Sequence, residues 1–423
     1  FYVFVYPGMV AGGQPTLNER LLTEARVLWL YLYMFWVPDI TVMGLFHDDI
    51  LVSTDWITPV TTLSAIFGWL GVLLLAFIGR RKIPVFTFAL AWYLVGHSME
   101  SSVLPLKLIF EHRNYVPSFA MALLLGYGLF IVAEKSITVA RSIVIRSQKS
   151  SGNKALPIGP DYQASVLTAL VGVLTLSVLF DATYTRAQYW SSEAGFIASA
   201  VRNHPYSPSS QYLYGEVMYK RFKNPVKAYP YYFRAGQLEP SEVGFLISLS
   251  MVTPVSVIEE LRKSTLLKMN DPDHIADLLR TKKISAWGMR ALDVASRCVK
   301  AQHSSCREHQ NDVSKWLNAV VDGANMDLMR RRYFFNLLFD IEMRYRLFGQ
   351  ALLTIKKAIA QYPDNLRMRL MHADVLTALK RYKQAQEVVN NAKKAKLKGS
   401  KKVQDALDKF QAALIIKIKN NKK

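Results

Sequence analysis

Residues 56–78, WITPVTTLSAIFGWLGVLLLAFI, carry no charge at any position. A helix needs about 20 apolar residues to cross a bilayer core, and a central charge costs roughly 2.5–3.5 kcal/mol. This run meets that requirement. Residues 116–133 meet it too, apolar apart from Ser118, as do residues 164–180, ASVLTALVGVLTLSVLF, with flanks that can extend them. Residues 84–96 are shorter and cross with their flanks. Residues 27–37, VLWLYLYMFWV, are too short to span and rich in aromatic rings. They read as an interfacial or re-entrant helix ended by Pro38. The chain opens at Phe1 inside the apolar stretch FYVFVYPGMV, without the basic start or small-residue cleavage site of a signal peptide. It reads as the N-terminally truncated remainder of a longer membrane protein.

Long apolar runs fill residues 1–185 and are rare afterwards, and charge divides at the same place. Up to Thr185 there are 12 Lys and Arg against 11 Asp and Glu, so nearly all of the net +21 lies in residues 186–423. Two domains follow: a transmembrane helical domain over 1–185 and a soluble domain over 186–423. A basic domain tied to a bilayer points to anionic lipid or an acidic partner. No recognition motif accompanies the charge, so nucleic acid is not expected.

Lys and Arg in short loops orient the spans. Arg80, Arg81 and Lys82 make the first turn cytoplasmic, and Lys135, Arg141, Arg146, Lys149 and Lys154 do the same between the last two spans. The segments around His47 and Glu111 then face the other side, with everything after Asp181. The soluble half is expected to be periplasmic or lumenal. Its two cysteines, Cys298 and Cys306, are eight positions apart. They fit a disulfide across a helix–loop junction in an oxidising compartment, or two unpaired small residues. The nearby His303 and His309 complete no zinc spacing, and no metal is expected there.

The soluble half repeats. Gln350-Ala351 recurs as Gln384-Ala385, and Ala358 as Ala392, each 34 residues on. That is the period of the tetratricopeptide (TPR) helix pair, in which small residues let two helices approach and a proline closes the second. Pro363 takes that place here, and Ala228, Ala235 and Pro240 repeat the spacing earlier, with Pro230 departing from it as a kink or late helix start. Residues 243–326 show helical periodicity without a clean repeat, and residues 403–418 read as an amphipathic capping helix among lysines that form a solvated face. Such stacks present a concave surface that takes a protein partner, or serve as spacers and scaffolds.

Two clusters carry chemistry. HSMESSVLPLKLIFEHRNYVPSF places His97, Glu100, Lys107, Glu111, His112 and Arg113 between two spans. Ionisable groups at membrane depth are functional candidates, and Arg113 or Lys107 can hold a phosphate or pyrophosphate. Glu111 can orient that cation or act as a base. Water-facing interfacial charges are the alternative. The weaker cluster is GLFHDDILVSTDW, where His47, Asp48, Asp49 and Asp55 share the same predicted side. Such groups can bind a divalent cation or do acid–base work, or form a solvated loop. There is no Walker loop, Rossmann glycine pattern, HExxH or GxSxG.

FEHRNYVPS resembles the E-H-R-x-Y-x-P-S signature of membrane proteins with C-terminal TPRs, among them the transmembrane-and-TPR O-mannosyltransferases. Glu111, His112, Arg113, Tyr115, Pro117 and Ser118 hold those places. After the last span, Trp190, Glu193, Ala200, Pro205 and Gly215 match that family's lead-in to its first repeat. The resemblance implies an all-α chain: part of a GT-C-like polytopic bundle followed by a TPR-like α-solenoid. It implies a glycosyltransferase whose cofactor-like donor is a polyprenyl-phosphate-linked sugar. The catalytic carboxylate would lie N-terminal to Phe1, the E-H-R stretch with Tyr115 would handle the lipid phosphate, and the repeats would present a protein acceptor. A non-catalytic membrane-anchored scaffold for an envelope complex is the other reading.

Overall fold

The computed structural model describes residues 15–37, 39–99, 101, 107–151, 160–253, 268–323, 326–395, 397 and 401–420. Among them helices are the regular structure, and no strand is formed. The chain divides into two compact units after Glu239. The first therefore reaches past the change in hydropathy at Thr185 and takes in the first helices of the charged half.

In the first unit α1 (Leu17–Trp36) is longer than its aromatic segment. It starts at a capping box, where Thr16 N donates to the Glu19 carboxylate at 2.8 Å and Glu19 N donates back to Thr16 Oγ1 at 3.4 Å. Val27, Leu30, Tyr31 and Met34 form its buried face, at helical spacing. The next helix, α2 (Thr61–Gly79), begins five residues into the uncharged run. The cause is local: Asp55 Oδ1 accepts from the N–H of Ile57 and of Thr58, both at 2.7 Å, and winds residues 55–58 into a turn before Pro59. A turn closed by Lys82 N and Ile83 N on Gly79 O leads to α3 (Pro84–His97), with proline at its first position.

A 3-10 turn, Glu111–Asn114, runs into α4 (Tyr115–Ser151), and α5 (Pro160–Trp190) follows. α4 continues well beyond its apolar part because residues 129–151 contain neither glycine nor proline. Among the described residues three helices are long and apolar enough to cross a membrane: Thr61–Gly79, Glu111–Lys135 and Ala169–Trp190. Their outward faces are apolar, with Phe77 63% and Phe180 71% exposed. Contiguous apolar faces of this kind suit a hydrocarbon solvent. α1 is pinned across α2 and α3 by side-chain bonds to backbone carbonyls: Trp29 to Ala65 at 3.0 Å, Trp69 to Ala25 at 2.9 Å, and Tyr93 to Leu28 at 2.6 Å. Gly68 is required at this crossing, since a Cβ there would lie 2.9 Å from the Trp29 ring.

The unit closes with α6 (Glu193–Asn203), α7 (Pro208–Lys220) and α8 (Pro225–Leu238), capped by Ser192, Ser207 and Asn224. Ala228 and Ala235 are fully buried against α7, and α8 accommodates Pro230 inside it.

The second unit contains α9 (Val243–Val252), α10 (Pro272–Thr281), α11 (Ala286–Lys300), α12 (Gln310–Asp322), α13 (Leu328–Arg344), α14 (Phe348–Gln361), α15 (Leu366–Ala378), α16 (Tyr382–Lys394) and α17 (Lys401–Asn420). Each of α13 to α16 packs on the next. α14 and α16 start 34 residues apart, and Ala351, Ala358, Ala385 and Ala392 are all buried. These are TPR-like helix pairs. The described helices of residues 243–326 pair in another way, α9 with α11 and α10 with α12. Cys298 and Cys306 are bonded, tying the end of α11 to the one-turn helix Ser304–Arg307. α17 is the expected cap, with Leu407 and Leu414 buried against α15 and α16.

Candidate functional site

Tyr31, on the buried face of α1, fixes the start of the E-H-R turn: its hydroxyl accepts from Phe110 N at 2.8 Å. From below, His97 stacks on the Tyr31 ring, with centroids 4.8 Å apart, and bonds Asn114 Oδ1 at 3.2 Å. With its base fixed, the turn presents Glu111 to three partners. Gly44 N donates to Oε1 at 2.6 Å, His47 Nε2 lies 3.1 Å from the same oxygen, and Arg186, near the end of α5, bonds Oε2. The two sequence clusters therefore meet at this carboxylate.

Beside it lies a cavity of about 510 Å³. Met34 and Phe35 of α1, Ile40, Met43 and Leu45 of the following loop, and Leu179 and Ala182 of α5 form apolar walls. Glu111, His112, Asn114, Tyr115, Ser118 and Arg186 supply polar groups. The other candidates lie elsewhere. The Arg113 guanidinium lies over the Phe110 ring at 5.0 Å, and the Lys107 ammonium over Phe46 at 5.0 Å; neither lines the cavity. Glu100 falls outside the described residues. Asp48 and Asp49 turn away from Glu111. Asp48 accepts from Ser207 Oγ and, at 3.1 Å, from Ser209 N at the start of α7. Asp49 Oδ2 meets His204 Nδ1 at 3.0 Å in a buried pair. Among the described residues no group of three or more His, Cys, Asp or Glu is placed to hold a metal ion.

Arg186 is the cation that sequence reading passed over. Its signal was its isolation: it is the first basic residue after Lys154, just past an uncharged span. Chemically the arrangement suits an anion with an apolar tail. One Arg nitrogen engages Glu111, and its side chain is 30% exposed, leaving N–H donors for an oxyanion. Glu111, saturated by three donors, is better placed to orient that guanidinium than to take a proton.

No protein-family model matches the chain, and no curated protein matches it. Among solved structures it is similar to the crystal structure of the P58(IPK) TPR domain, with 12% identity over 92% of this chain and 99% of that one, at a TM-score of 0.23. At that score the overlay adds nothing to the helix pairing described above.

Proposed function

We propose that this protein is a membrane glycosyltransferase of GT-C type that takes a sugar from a polyprenyl-phosphate carrier on the non-cytoplasmic face of a bacterial inner membrane. The TPR-like helices dock a protein acceptor or partner in the periplasm. The observation that carries this reading is the cavity beside Glu111, which sets one guanidinium against apolar walls at the end of candidate spans. A polyprenyl phosphate has the matching form, a charged head on a hydrocarbon chain. Arg186 holds and steadies the phosphate as the sugar departs, Glu111 orients Arg186, and His112 and Asn114 offer further hydrogen bonds. Arg113 and Lys107 brace the turn through their aromatic contacts. The Cys298–Cys306 bond supports an oxidising compartment for the second unit.

The test is binding of a polyprenyl phosphate to the full chain in lipid nanodiscs. Arg186→Ala is expected to weaken it about tenfold or more, the scale of one lost charge-assisted contact. Arg113→Ala, which loses only a ring contact that braces the turn, is expected to weaken binding less than Arg186→Ala does. An Arg186→Ala chain with unchanged affinity overturns the reading.

One observation favours the second reading, a non-catalytic membrane-anchored scaffold. Among the described residues Glu111 is the sole carboxylate lining the cavity, and its oxygens are engaged. Intact lipid-phosphate binding with no sugar transfer in membranes would favour the scaffold.

A further inference from the structure

Residues 39–49 deliver both Gly44 and His47 to Glu111, yet they contain no helix or strand that would hold their shape. Their first residues are tied to α1, by Tyr33 Oη to Asp39 Oδ2 at 3.3 Å and by the buried Val42, and the rest are held by the first soluble helices. At one end of the contact, Asp48 caps the start of α7 through Ser207 and Ser209. At the other, Asp49 and His204 form a pair whose side chains are each 1% exposed. The His204 ring fills the space directly behind the two Glu111 donors. It stands edge-on to the His47 ring, with centroids 4.9 Å apart, and a Cβ added to Gly44 would lie 2.7 Å from its Cδ2. Burying an Asp–His pair costs desolvation that a surface pair avoids, so such a pair contributes mainly by fixing geometry. A histidine ring is oriented by the bond its other atoms make, and Asp49 makes that bond for His204.

We infer that His204 and Asp49 are positioning residues for the Glu111–Arg186 site. Together they hold residues 44–47 so that Glu111 keeps its two loop donors and aims Arg186 into the cavity. This rests on the lipid-phosphate reading for its functional consequence, and it makes the α6–α7 segment a built part of the membrane site.

The experiment uses the full chain in lipid nanodiscs, labelled with 15N-glycine, with polyprenyl phosphate as the binding probe. A short N–H bond to a carboxylate puts the Gly44 amide proton downfield, a marker independent of any ligand. In His204→Ala that resonance is expected to move upfield and polyprenyl phosphate affinity to fall about tenfold, as for one hydrogen bond to a charged group. His204→Asn, whose side-chain amide can replace the Nδ1–H donor to Asp49 but not the ring edge behind Gly44 and His47, is expected to restore each only in part. If His204→Ala does not fold, Asp49→Asn must move the resonance in the same direction. An unmoved Gly44 resonance overturns the inference. So does a moved resonance with unchanged affinity, provided Arg186→Ala does weaken binding. If Arg186→Ala binds normally, the lipid-phosphate reading fails, and the Gly44 shift alone decides the positioning role.

Discussion

Glu342 of α13 is 2% exposed, and its Oε1 accepts from Thr354 Oγ1 of α14 at 3.0 Å. Burial pushes its carboxyl up to about 7, from an ordinary value of 4.5. Between those two values the folded state keeps a proton that the unfolded chain has released. Stability therefore falls as pH rises through that window and levels off above it. Glu342→Gln keeps an acceptor for Thr354 without the charge. Chemical denaturation should show a gain on the order of 2 kcal/mol at about pH 8 that shrinks toward zero near pH 4.5. A pH-independent difference would contradict this. At this scale the candidate site was half legible. Glu111, His112 and His47 stood out as ionisable residues between spans, but the partner of Glu111 is 75 residues away and had no local pattern pointing to it. Asp48 and Asp49 suggested a cation site because adjacent carboxylates look alike whether they face water, a metal or a helix start.

At the scale of elements, four non-glycine residues among those described adopt left-handed backbone conformations: Lys223 (φ 51), Gln302 (φ 56), Arg346 (φ 60) and Lys380 (φ 59). Each stands two residues before the next helix begins. Three of these turns join paired helices and the fourth leads into the one-turn helix Ser304–Arg307, and Arg346 and Lys380 keep the 34-residue period. An L side chain in that region costs about 1 kcal/mol or more, which glycine avoids at some cost in chain entropy. Arg346→Gly is expected to raise the denaturation midpoint of the TPR-like helices, by roughly 0.5–1 kcal/mol in stability. Arg344→Gly, two residues earlier and the last residue of α13, is expected to lower it by up to about 1 kcal/mol. Equal effects at the two positions would refute the backbone account. The helices themselves were legible from apolar runs and the alanine period. Their ends were not, because the Asp55 turn and the Thr16 capping box are short-range hydrogen bonds that hydropathy does not register.

For the whole molecule, the proposed topology sets the Arg80–Lys82 turn on one side of the bilayer and α6 on the other. Arg80 is tied locally, donating to Phe77 O at 2.7 Å, and nothing in that turn reaches toward the Glu111 cavity. The two native cysteines are bonded, so single cysteines can be placed on an otherwise silent chain. Arg81→Cys in intact cells should resist an impermeant thiol reagent until the membrane is opened, while Glu193→Cys should react at once. Labelling of both positions from the same side would undo the topology, and with it the shared compartment of the Glu111 site and the α6–α7 helices.

By itself the amino-acid sequence determined that the regular structure is helical, that its first part suits a bilayer, and that its last part repeats every 34 residues. Each of these is carried by near neighbours, through apolar run length, charge in short turns, and small residues at helical spacing. Tertiary structure alone decided that Glu111 meets Arg186, that Arg113 rests on a ring instead of lining the cavity, and that Asp49 belongs to His204, 155 positions away. Long-range pairing depends on which helix ends are brought side by side, and that is set by the packing of whole helices, which no local pattern encodes.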